Sequence, residues 1–168
     1  IERLALAPLP AGTVVALIAL LTRKIGLEGM AGGQGLDLQF RGDREQIFQI
    51  HRMKTADLIE ASLISAAWVA GRDEAHRKRL SEVALEVGIA FQLADDLLDV
   101  EGDEGLVGKK LQKDGANNSP NAALHWGVER VRRELEARHA RARAGLAELG
   151  IESPAFLNLV DRMVFRNR

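Results

Sequence analysis

The 168 residues suit one compact domain, and a net charge of -1 excludes the broad basic field that gathers nucleic acid. Apolar residues at 46% and charged residues at 28% describe a globular chain and exclude a disordered one. The absence of cysteine excludes disulfide frameworks and thiolate metal sites, which fits a cytoplasmic setting.

Helix formers dominate and alternating β-branched runs are scarce, so the chain reads as all-α. It opens at Ile1 without an initiator methionine, as a processed or partial product would. Pro8 and Pro10 bracket a turn, and a helix is predicted from Gly12 through about Lys24. Its apolar run Val14–Leu21 covers eight residues, too few to span a bilayer. A second helix is expected over Leu27–Gln39. Gly42 and Asp43 then make a turn before a long helix over Arg44–Ala70. Gly71 ends that helix and Asp73 caps the next, which runs to about Val100. Gly102–Ser119 reads as a loop, followed by helices over Asn121–Leu149 and Ala155–Phe165. Long helices with short connections make a bundle.

Four features carry possible chemistry. In Phe91-Gln92-Leu93-Ala94-Asp95-Asp96-Leu97-Leu98-Asp99, positions four apart share a helix face, so Asp95 and Asp99 point the same way, with Asp96 and Gln92 beside them. Three clustered carboxylates repel one another, and a hard cation such as Mg²⁺ relieves the conflict while leaving positions for phosphate oxygens. A solvated acidic helix end explains the same residues.

In His51-Arg52-Met53-Lys54-Thr55, Lys54 heads an apolar helix, where it can meet an anion or simply snorkel. Gly29-Met30-Ala31-Gly32-Gly33-Gln34-Gly35-Leu36-Asp37 places four glycines in seven positions, which calls for close helix packing or close approach of a ligand. Gly108-Lys109-Lys110 and Lys113-Asp114 follow the aspartates, suited to closing over a diphosphate or to plain solvation. The charged helix Glu129–Arg143 is assigned a structural role, and the four histidines lack metal-site spacing and are given none.

Taken in order, these elements resemble the trans-isoprenyl diphosphate synthase (polyprenyl synthetase) family, and bacterial members of the farnesyl diphosphate synthase type above all. The resemblance covers nearly the whole chain, residues 1–168, as the C-terminal part of a single isoprenoid-synthase helical domain. It implies an all-α bundle around a deep apolar cavity. It implies Mg²⁺, with Mn²⁺ as a substitute, and condensation of an allylic diphosphate (dimethylallyl or geranyl) with isopentenyl diphosphate. On this likeness Asp95 and Asp99 would bind the metal, and Asp96 would bridge its waters or the ion itself. Lys54 and Lys109 would bind diphosphate. Thr55 and Gln92 would present dipoles to a carbocation, and Gln34, Asp37 and Phe91 would line or brace the cavity. A homodimer is also implied, beside the cytoplasmic setting, the lack of a membrane span and the lack of a nucleic-acid partner read from the composition and the apolar run above.

Three departures stand out. Ala94 replaces the usual Gln, Gln112 replaces a Gly, and Ser119-Pro120-Asn121-Ala122-Ala123 replaces a Lys-x-Thr-Tyr-Pro stretch, removing one phosphate-binding lysine. The family's first aspartate-rich motif does not occur in these residues. A second expectation therefore stands beside the enzyme: a non-catalytic regulatory or structural subunit of the same fold. A helical interaction module with no such chemistry is a third.

Overall fold

Residues 1–102 and 119–165 are described by the computed structural model. They form helices α1 Glu2–Ala5, α2 Ala11–Ile25, α3 Met30–Leu38, α4 Gln46–His51 and a π-helix Arg52–Ala56. These are followed by α5 Asp57–Val69, α6 Glu74–Gly102, α7 Ala122–Trp126, α8 Val128–Glu148 and α9 Pro154–Val164. No strand occurs among the described residues, and none of their helices is long and apolar enough to cross a membrane.

The axis of the bundle is α6, 29 residues and roughly 43 Å long at 1.5 Å per residue. It packs along α8 and α5, and its middle meets the π-helix. Two apolar cores result. One gathers Phe40, Ile47, Ile50, Leu93, Val131 and Leu135. The other gathers Ile64, Leu80, Val83, Val87, Leu146 and Val160 toward the opposite end of α6. Side chains four or seven apart on α6, such as Val83, Val87 and Ala90, supply the buried stripe that joins them.

Two expected helices are interrupted. The helix predicted over Arg44–Ala70 runs from Gln46 to Val69, but Arg52–Ala56 widens into a π turn in which the Asp57 amide bonds the Arg52 carbonyl. The helix predicted over Asn121–Leu149 breaks at Gly127, whose φ of +86° belongs to the left-handed region that favours glycine. Upstream of the break, Asn121 caps α7 by accepting the Leu124 amide at 3.1 Å. The second helix, expected from Leu27, begins at Met30.

A polar triad of half-buried Lys24 with buried Asp57 and Glu60 ties α2 to α5. Lys24 Nζ donates to Asp57 Oδ1 at 2.8 Å and to Glu60 Oε2 at 2.5 Å, and Ser81 of α6 donates to the other Glu60 oxygen. Burial alone lowers the lysine pKa, but the bonds and charges of Asp57 and Glu60 outweigh it and hold Lys24 above its ordinary value.

Candidate active site

Every lysine on a helix surface can snorkel, so what distinguishes Lys54 is where the fold holds it. It sits in the π turn, with α3 pressed against its main chain. A β-carbon at Gly33 would lie 2.5 Å from the Lys54 nitrogen and 2.7 Å from Met53 Cβ, so only glycine permits this crossing. The glycine-rich run thus serves close helix packing at Gly33. Asp37 lies four residues on, on the same face of α3, and its carboxylate accepts the Lys54 ammonium.

Across from this ion pair, α6 presents Gln92, Asp96 and Asp99. At about 100° per residue these three lie within some 60° of one another, and Asp95 falls about 40° further round from Asp99. A cleft of about 210 Å³ is lined by Asp37, Lys54, Gln92, Asp96 and Asp99, with Ser119–Asn121 closing one side. Thr55 Oγ1 donates to Gln92 Oε1 at 2.9 Å, and Gln92 Nε2 reaches toward Asp96 Oδ1 at 3.4 Å. The hydroxyl, the amide and the carboxylate form one oriented chain.

The three aspartates are not equivalent. Asp99 is exposed at the cleft and Asp95 is half-buried. Asp96, expected to bridge to the ion or its waters, is turned inward because α7 returns against it: it is buried and accepts the Ala122 amide at 2.7 Å. Gln34, expected to line the cavity, is exposed, since it lies about 100° round α3 from the packed Gly33. Phe91 is half-buried and stands outside the lining of this cleft. Lys109 lies outside the described residues, as do Gly108, Lys110, Gln112, Lys113 and Asp114.

His51, given no role from sequence, is 3% exposed, with Nε2 at 3.2 Å from both Asp96 Oδ2 and the Pro120 carbonyl. Its place three residues before Lys54 is the only sequence signal that links it to the site. His125 likewise holds the Ser119 carbonyl at 2.9 Å.

The donor set bears on the metal question. Among the described residues no three His, Asp or Glu side chains converge into an all-protein metal cage. Mg²⁺ does not need one, because it binds through one or two carboxylates, keeps waters and shares phosphate oxygens. Asp99, exposed at the cleft, fits that demand, whereas half-buried Asp95 stands outside the lining of this cleft.

The all-α bundle is the fold of solved geranyltransferases on which it superposes. Residues 4–145 match the polyprenyl synthetase family, and the chain belongs to it. It is 33% identical over 162 residues to a farnesyl diphosphate synthase of Escherichia coli, covering 92% of this chain and 54% of that protein. It is 30% identical over 162 residues to a geranylgeranyl diphosphate synthase of Cyanophora paradoxa, covering 94% and 54%. Among solved structures, a Helicobacter pylori geranyltransferase complexed with magnesium and isoprenyl diphosphate superposes with a TM-score of 0.75 at 33% identity, covering 97% of this chain and 55% of that one. The chain spans about half the length of these relatives.

Proposed function

We propose that this chain supplies the second aspartate-rich half of a short-chain prenyl diphosphate synthase. That protein would condense dimethylallyl or geranyl diphosphate with isopentenyl diphosphate to a product such as farnesyl diphosphate. The observation that carries the reading is the cleft itself, which Lys54 and Asp99 line together beside the Thr55–Gln92 pair.

In this reading Asp95 and Asp99 hold Mg²⁺, with Mn²⁺ able to replace it. The ion would supply Lewis-acid neutralisation of the departing diphosphate. Lys54, with Lys109, carries the phosphate charge. Asp37 holds the Lys54 ammonium in place until an anion competes for it. The Thr55 hydroxyl and the Gln92 amide present fixed dipoles where positive charge develops on the allylic carbon. No side chain acts as a nucleophile, and excluding water protects the cation.

Among the described residues, six of the ten large exposed apolar side chains lie within residues 1–38, Leu6, Val15, Leu27 and Leu38 among them. We read them as surface that the remaining length of a complete synthase covers, with this chain as its C-terminal part. A cytoplasmic homodimer completes the proposal, on the family resemblance. The test is turnover of labelled isopentenyl diphosphate by the full-length protein with and without Mg²⁺. Absence of product from a correctly folded protein would overturn it.

One observation favours a second reading. Ser119 lines the cleft where the family resemblance implies a lysine, so among the described residues Ser119–Asn121 bring no cation to this wall. A non-catalytic subunit would be inert alone and would alter the product of an active synthase mixed with it. An unchanged product length in that mixture removes this reading.

A further inference from the structure

One wall of the cleft is a short segment, Ser119–Ala122, and the bonds that hold it converge on one carboxylate. Asp96 is 4% exposed, yet its side chain meets three donors of its own chain. The Ala122 amide donates to Oδ2 at 2.7 Å, His51 Nε2 stands 3.2 Å from the same oxygen, and Gln92 Nε2 lies 3.4 Å from Oδ1. The main-chain carbonyl of Asp96 accepts Asn121 Nδ2 at 3.1 Å. His51 Nε2 also lies 3.2 Å from the Pro120 carbonyl. Both of its neighbours are acceptors, so Nε2 carries the hydrogen and shares it between the carboxylate on α6 and the backbone of the returning segment.

We propose that Asp96 and His51 are a positioning pair that clamps Ser119–Ala122 onto α6, and that Asp96 is not a metal ligand. The inference rests on the reading that Asp95 and Asp99 hold the metal, and it divides the aspartate cluster into two jobs. A magnesium ligand needs an oxygen open to an ion that keeps some of its waters. Exposed Asp99 has one, whereas both oxygens of Asp96 face donors inside the protein. A buried carboxylate is tolerated when such donors satisfy it, and these do. Ser119, Pro120 and Asn121 line the same cleft as Lys54 and Gln92. Loosening the clamp therefore moves a wall of the diphosphate site, and Asp96 acts on the ligand through that wall.

The test uses the full-length protein, with Mn²⁺ as a paramagnetic probe titrated in the presence of pyrophosphate, and amide hydrogen exchange across residues 119–126. Asp96→Asn keeps an acceptor oxygen for the Ala122 amide and should leave Mn²⁺ affinity within about threefold, while Asp99→Asn weakens it about tenfold or more. His51→Leu should speed exchange at residues 119–126 about tenfold or more and weaken pyrophosphate binding, and His51→Gln, which keeps a donor, should restore both. Where His51→Leu does not fold, His51→Met, which also lacks a donor, takes its place with the same expectation. Equal loss of Mn²⁺ affinity in Asp96→Asn and Asp99→Asn overturns the proposal. So does unchanged exchange in the histidine variants. If the unsubstituted protein binds no Mn²⁺ with pyrophosphate, the functional reading fails, and the exchange measurement alone decides the clamp.

Discussion

Replacing Lys24 with methionine keeps most of the side chain's length and removes its charge. What remains is two carboxylates three residues apart on one face of α5, with side chains only 4% and 11% exposed. A surface ion pair contributes at most about 1 kcal/mol, but stripping one partner from a buried set costs about 3–5 kcal/mol. Ser81 still donates to Glu60, and Arg52 Nε stands 4.0 Å from Asp57, so residual compensation exists. That places the expected loss near the lower bound, about 3 kcal/mol, or roughly 6–12 °C in Tm for a domain of this size. Urea unfolding followed by circular dichroism at neutral pH measures it. Adding Asp57→Asn and Glu60→Gln to the lysine change should recover much of the loss. The sign of the pH dependence follows from the raised lysine pKa. The stabilisation is complete below the ordinary lysine value of 10.5 and is lost as pH climbs through the higher folded value. The unsubstituted protein should therefore show an alkaline fall in stability that Lys24→Met lacks. A loss below about 1 kcal/mol, with no difference in the alkaline limb, would refute the reasoning.

Other outcomes follow from the same geometry. Gly33→Ala should cost about 1–3 kcal/mol by overpacking and weaken pyrophosphate binding, because the new methyl group pushes on the Lys54 backbone. Gly35→Ala, with nothing within 4 Å, should be neutral or stabilising by up to about 1 kcal/mol, and denaturant midpoints of the two variants decide it. Asn121→Ala removes the cap on Leu124 and the bond to the Asp96 carbonyl, and should cost about 1–2 kcal/mol in the same assay. Thr55→Val leaves Gln92 without its donor. It should lower stability by about 1 kcal/mol and, in the full-length protein, lower kcat more than it raises KM.

The parts of the fold that depend on neighbouring residues were legible in the chain. Gly71 with Asp73, and Pro154 after Ser153, mark helix ends by local backbone chemistry, and the helices end and begin there. The π turn was not legible, because nothing in Arg52–Ala56 marks it locally: the segment holds neither proline nor glycine. What accompanies the extra residue is the pressure of α3 at Gly33, far away in sequence. The candidate site divides in the same way. Lys54, Gln92 and the aspartates stood out as residue types in a pattern, but the Lys54–Asp37 pair spans 17 residues and no spacing rule connects them. Nor do three identical carboxylates on one helix reveal which turns inward. That is set by where α7 packs, and with it His51 acquires its partner.

The widened turn at Arg52–Ala56 also separates two bodies of packing. Ile47, Ile50 and Ala56 belong with Phe40 and Leu93, while Ile64 and Ala67, past the turn, belong with Leu80 and Val160. A helix in perfect register would transmit a shift in one core straight into the other, whereas an extra residue gives the two ends separate phases. Substitutions deep in the distal core should therefore add independently to those near the cleft. Conservative changes of side chain around Leu80 and Val160 are then expected to leave the geometry around Lys54 and Gln92 unchanged.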